Sequence, residues 1–219
     1  MAGEKDYIMK AIAILEATEK LKSYNISVEA WSILERLREE AAAEIRREEA
    51  KNGGKLNRTK AAERVIKNAK SYQAARECFH GAWNNANGLQ CICDGFQAYR
   101  LREALPLEPI PEKTEPIDVN CIVTPNQGEP LKLPELSELR AYIKTKKAEL
   151  KAKKDKSIVI YDFGEGLPAV NAEYLLTALE LLPGCTATTS KLRPLTNCIY
   201  FESSSGDGVI CPIRKGANV

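Results

Sequence analysis

The chain has 219 residues, 44% of them apolar, and sets 32 lysines and arginines against 30 aspartates and glutamates for a net charge of +2. That length holds one or two domains with a substantial core, and so even a balance excludes a surface that is basic throughout; any contact with nucleic acid has to come from local clustering. Seven cysteines, an odd number, fall mostly in apolar strand-like runs and point to reduced thiols rather than a disulfide framework. No run approaches the ~18 apolar residues of a membrane span, and no signal-type apolar stretch opens the chain. A cytoplasmic protein without a membrane segment is expected.

Ile8, Ile12 and Leu15 recur at helical spacing. A second helix is predicted to start at Ser27, with Ile26 and Trp31 placed to staple its cap. Its stripe is Val28, Trp31, Leu34, Leu37, Ala41 and Ile45, and Asn52-Gly53-Gly54 ends it. Residues 1–54 thus read as an antiparallel helical hairpin, which has to dock because two helices bury little. A third helix is predicted from Lys55 to Phe79, capped by Asn57, with Ala61, Val65, Ala69 and Tyr72 along one side. Short strands follow at 81–83, 89–93 and 96–100, separated by Asn/Gly and Asp/Gly turns.

Pro106, Pro109, Pro111 and Pro116 bar helix from residues 102–134, which read as an extended linker or edge excursion. Ser137–Lys154 is helical again and rich in lysine from Lys144 to Lys156; residues 158–163 return to strand. A short strand then ends at Asn171, which can cap a helix with the stripe Tyr174, Leu175, Ala178, Leu179 and Leu182. Pro183-Gly184 stops that helix. Three strand-like segments complete the chain, with breaks at Arg193-Pro194 and from Ser203 to Gly208.

The last fifty residues, with "VNAEYLLTAL" at one end and "VICPIR" at the other around a strand–helix–three-strand order, resemble the closing half-domain of bacterial DNA sliding clamps, the polymerase III beta subunit family. "KLNRTKAAERVIKNA" followed by "GLQCICDGFQAYRL" is similar to the opening half. The resemblance implies an α+β chain: a helical hairpin over 1–54, then one DNA-clamp-like domain over 55–219, made of two strand–helix–strands halves and carrying an insertion at 102–157. A clamp subunit has three such domains, so one per chain leaves self-assembly open.

By position in the family, Val209, Cys211 and Pro212 would line an apolar groove for a partner's linear motif, which the tail from Lys215 onward could cover; an ordinary core strand is the plainer alternative. In clamps the turn matching Asp94–Gln97 offers a base to DNA. Gln97 stands there instead, with Arg100 and Arg102 following. Clamp helices present Lys and Arg to phosphates without reading sequence. Here Arg58, Lys60, Arg64 and Lys67 are the candidate DNA contacts on the third helix, with Arg100 from the turn; a solvated basic face is the alternative for each.

Catalysis finds little support. His80 is the one histidine, Cys91 and Cys93 lack a second pair at zinc spacing, and Phe163–Gly166 lacks the lysine and following helix of a phosphate loop. No cofactor or metal is expected. The expected function is therefore non-enzymatic: a DNA- or DNA-machinery-associated binding protein of phage or mobile-element type, with duplex DNA and a replication or defence protein as partners. One alternative is an anti-CRISPR-like inhibitor that binds a DNA-targeting nuclease or its DNA. The other is a helical adaptor on a clamp-like scaffold.

Overall fold

Helices α1 (Ala2–Leu21) and α2 (Val28–Asn52) open the chain. The computed structural model describes residues 2–22, 24, 26–72 and 76–214, the side chains of 2–7 aside. Ser27 caps α2 as expected: its backbone is extended and its hydroxyl accepts the Ala30 N–H at 3.2 Å, satisfying a donor the first turn leaves orphaned. The end of α1 meets the start of α2 around Thr18, Lys22, Trp31 and Leu34, so the pair is antiparallel. Two compact units are present, Met1–Thr59 with Leu105–Glu108 and Lys60–Ala104 with Pro109–Val219.

Helix α3 (Leu56–Ser71) departs from expectation at both ends. The Thr59 N–H already donates to the Lys55 carbonyl at 2.9 Å, so Asn57 lies inside the first turn and does not cap it. The helix stops at Ser71; residues 73–75 lie outside the described set, and 77–79 form a single 3-10 turn. Its buried side is Ala61, Ala62, Val65, Ile66 and Ala69.

The second unit is built on a seven-stranded antiparallel sheet. Its strands are β1 (Trp83–Asn84), β2 (Gln90–Cys93), β3 (Gln97–Leu101), β4 (Pro130–Leu131), β7 (Thr186–Thr188), β8 (Ile199–Ser203) and β9 (Gly206–Ile210), in the order β1-β2-β3-β9-β8-β7-β4. A separate pair joins β5 (Ile160–Asp162) to β6 (Ala169–Asn171). With the helices α4 (Leu136–Ala152) and α5 (Ala172–Leu181), the described chain is α+β. The meanders β1-β2-β3 and β7-β8-β9 each follow a helix, α3 and α5, and meet along β3 and β9, where Ala98 faces Val209 and Tyr99 faces Gly208. The expected break from Ser203 to Gly208 shrinks to the turn at Ser204-Ser205, because Gly206 and Gly208 both belong to β9.

Strand alternation sends Cys91, Cys93, Ala98, Arg100, Tyr200 and Val209 to one sheet face, and Ile92, Gln97, Tyr99, Leu101, Phe201 and Ile210 to the other. The first face is covered by the proline-rich segment. Val119 and Val123, at most 1% exposed, pack there with Trp83, Cys93 and Tyr200, joined by Ile110 and Ile117. Val119 and Val123 thus belong to the core, with Ile110 and Ile117 packed against it, and the segment is not a free linker; proline bars ladder and helix but does not bar burial. The edge excursion is real further on, where β4 pairs with β7.

On the second face the Tyr99 ring lies across Gly208, where an added Cβ would stand 2.3 Å from the ring. The Tyr99 hydroxyl leads through Gln97 to Asp94, which lines one pocket with Arg64 of α3 and Tyr174 of α5, so both helices lie on this side of the sheet. Asn171 caps α5 as expected, its Oδ1 accepting the Glu173 N–H at 2.9 Å. Leu139 and Ile143 are buried on α4, which packs against α5. Among the described residues no helix is long and apolar enough to cross a membrane.

Candidate functional site

A pocket of about 350 Å³ opens in the second unit between α3, α5 and the turn joining β2 to β3. Each wall has a local cause. The turn is fixed by Asp94, whose Oδ1 accepts the N–H groups of Phe96 and Gln97, both at 2.9 Å, while Gly95 takes a φ of +92°. That geometry turns Phe96 outward, 43% exposed, and Gln97 inward. The Phe96 ring meets Tyr72 edge-on at 5.8 Å and stacks with Tyr174 at 6.4 Å and 23°. Tyr72, just past the end of α3, is 53% exposed. Asn68, Asn171 and Thr177 supply polar edges.

Asp94 sits at the inner wall and is 3% exposed. Gln97 Nε2 donates to its Oδ2 at 2.8 Å, and the Tyr99 hydroxyl donates to Gln97 Oε1 at 2.9 Å, so a buried polar chain runs from the pocket into the core. Burial pushes the Asp94 carboxyl above its ordinary range, with the donated hydrogen bonds pulling the other way. Burial likewise raises the Tyr174 hydroxyl to about 12 and holds Tyr99 well above the usual tyrosine value. Both hydroxyls stay neutral near pH 7.

Around the pocket, which Arg64 and Glu173 help to line, the charges follow a clear pattern. Glu180 of α5, its side chain 8% exposed, is shared by Arg64 of α3 and Arg140 of α4, the latter at 2.6 Å. Glu173 of α5 pairs with Lys147 of α4 at 2.6 Å. The acids of α5 are therefore answered by cations from both neighbouring helices. Lys60 and Lys67 of α3 are exposed and share a face with Arg64. On α4 the positions 140, 144, 147 and 151 form one cationic stripe, with Lys144 and Lys151 exposed. The periodicity of that stripe was in the sequence; that it borders α5 was not.

The expected DNA contacts do not gather in one place. Lys60, Arg64 and Lys67 share a helix face, whereas Arg58 is half-buried in the first turn of α3. Arg100 lies on the opposite sheet face, and its donors are engaged. Nε reaches Asp207 Oδ1 at 2.9 Å, Nη2 reaches Oδ2, and Nη1 reaches Asn120 at 3.0 Å. The Asp207 carboxylate raises the Arg100 guanidinium further above its usual value. Arg102 donates to the Ser203 carbonyl at 2.7 Å and pairs with Glu202. The β2–β3 turn thus exposes Phe96, while Gln97, at the position where clamps carry a base, is buried.

The expected partner-groove residues lie on and just beyond β9. Val209 is 3% exposed in the core under the proline-rich segment. Cys211 is half-buried, its Sγ 3.6 Å from Cys198 Sγ, and Pro212 is half-buried beyond the strand. Residues 215–219, expected as a cover, lie outside the described set. Among the described residues no three His, Cys, Asp or Glu side chains come together as a metal site. No family model, characterised protein or solved structure matches the chain.

Proposed function

We propose that this chain is a non-enzymatic binding protein of DNA or its machinery, with the cationic faces of α3 and α4 meeting phosphates. The observation that carries this reading is the masking of α5. Glu173 and Glu180, which would repel a polyanion, are paired to Lys147, Arg64 and Arg140, while Lys60 and Lys67 remain exposed beside them. Such a surface attracts phosphates non-specifically, through the release of condensed counterions. The clamp-like part of the reading draws its support from the two helix-and-meander halves joined along β3 and β9.

The test is a salt titration of a labelled 20-base-pair duplex. Changing both Lys60 and Lys67 to Ala should weaken binding and flatten the plot of log affinity against log salt by about 0.9 per lysine lost. Binding that is unchanged in strength and slope would remove α3 from the interface.

A further inference from the structure

The geometry points to a more specific ligand than a duplex: we infer that the pocket between α3, α5 and the β2–β3 turn receives one unstacked base of a single-stranded nucleic acid. This rests on the nucleic-acid reading above and narrows it to a strand state.

Three observations converge. The pocket wall is aromatic where it meets solvent. Phe96 and Tyr72 are 43% and 53% exposed, and Phe96 is held at the tip of a turn whose conformation Asp94 and Gly95 fix. Phe96 already stacks with Tyr174 and meets Tyr72 edge-on, so an incoming base would extend this aromatic cluster from its solvent side, and every base has a π face to offer it. The pocket's own carboxylates are turned to partners within the protein. Asp94 accepts hydrogen bonds from Phe96, Gln97 and the Gln97 side chain, its carboxyl buried within the wall, and Glu173 is paired to Lys147. The approach is cationic, since Lys60, Arg64 and Lys67 line the exposed side of α3 that leads to Asn68 and Tyr72 at the pocket.

A ligand that satisfies all three has a flat aromatic group attached to a phosphate chain. A peptide with an aromatic anchor meets the first condition, and it would use the cations only if it also carried acidic side chains, whereas a nucleic-acid strand carries a phosphate at every base. A paired base cannot enter, because its π faces are stacked within the duplex; it must be unpaired already or turned out of the helix. The side-chain amides of Asn68 and Asn171 border the pocket and suit a base without selecting one, while the Thr177 hydroxyl is already donated to the Glu173 carbonyl, so weak sequence preference is expected.

Fluorescence anisotropy with labelled dT15 and with a 15-base-pair duplex at one salt concentration tests this in the full chain. Wild type should bind dT15 at least tenfold tighter than duplex. Phe96→Ala should weaken dT15 binding fivefold or more, as expected for the loss of one stacked base, and leave duplex binding within twofold. Phe96→Tyr, which keeps both ring and turn, should retain dT15 binding and so guards against misfolding as the cause. Equal affinity for the two DNAs, or dT15 binding indifferent to Phe96→Ala, would overturn the base pocket while leaving phosphate binding by α3 standing. Failure of wild type to bind either DNA would overturn both.

Discussion

The two faces of the seven-stranded sheet treat charge in opposite ways. Under the proline-rich segment, Arg100 and Asp207 are matched one to one, with Asn120 and Tyr200 completing their hydrogen bonds and side-chain exposures of only 15% and 12%. On the helix-covered face, Glu180 is outnumbered by Arg64 and Arg140, and the cations reach solvent. A carboxylate satisfied by one enclosed guanidinium holds a core together and has nothing left for a ligand. A carboxylate shared by two half-exposed arginines leaves the surrounding surface electropositive. The difference teaches that a basic residue near the expected DNA turn says little until its sheet face and its partner are known.

The contrast breaks first on the enclosed face. Asp207→Ala should cost about 3 kcal/mol in a urea titration, because it leaves Arg100 largely buried and uncompensated, while DNA affinity stays unchanged. Replacing both Arg100 and Asp207 with Leu should be less harmful than the single change, since no charge is stranded. Stability equal to wild type in Asp207→Ala would show that water reaches Arg100 and that the two faces are alike.

On the helix face the same kind of change should act on binding more than on stability. Glu180→Gln is expected to cost ~1 kcal/mol or less, because its partners are 44% and 53% exposed. It should also tighten duplex binding and steepen the salt dependence by freeing Arg64 and Arg140. A flatter salt plot for this variant would place those arginines away from phosphate.

The smallest effect is a pH dependence at the pocket. Asp94 is raised in the folded protein, chiefly by burial. An acid so shifted favours the folded state most below its unfolded pKa and loses that contribution as pH rises through the folded value. The stability of wild type relative to Asp94→Asn should therefore decline across that window, above the ordinary aspartate range. A carbon-13 NMR titration with the Asp94 midpoint at or below the ordinary value would remove the argument.

Local features were legible from residues alone. Ser27 and Asn171 cap their helices because a side-chain oxygen reaches an N–H two or three residues on, which needs no distant partner. The Asp94-Gly95 turn was legible for the same reason. Asn57 failed as a cap because Lys55 begins the helix two residues earlier, and residue type does not choose between two adjacent starts. The Lys144–Lys156 run was visible, but not its use in pairing with Glu173.

The sequence by itself determined where helices and runs of short strands alternate along the chain, since periodicity and turn chemistry act over a few residues. Tertiary structure alone decided that residues 109–123 close one sheet face, that Arg100 points into that face, and that Tyr72, Phe96 and Tyr174 share a pocket. Those outcomes depend on strand register and on packing between segments up to a hundred residues apart. A one-residue shift in register would send Arg100 to the helix side and Tyr99 to the other.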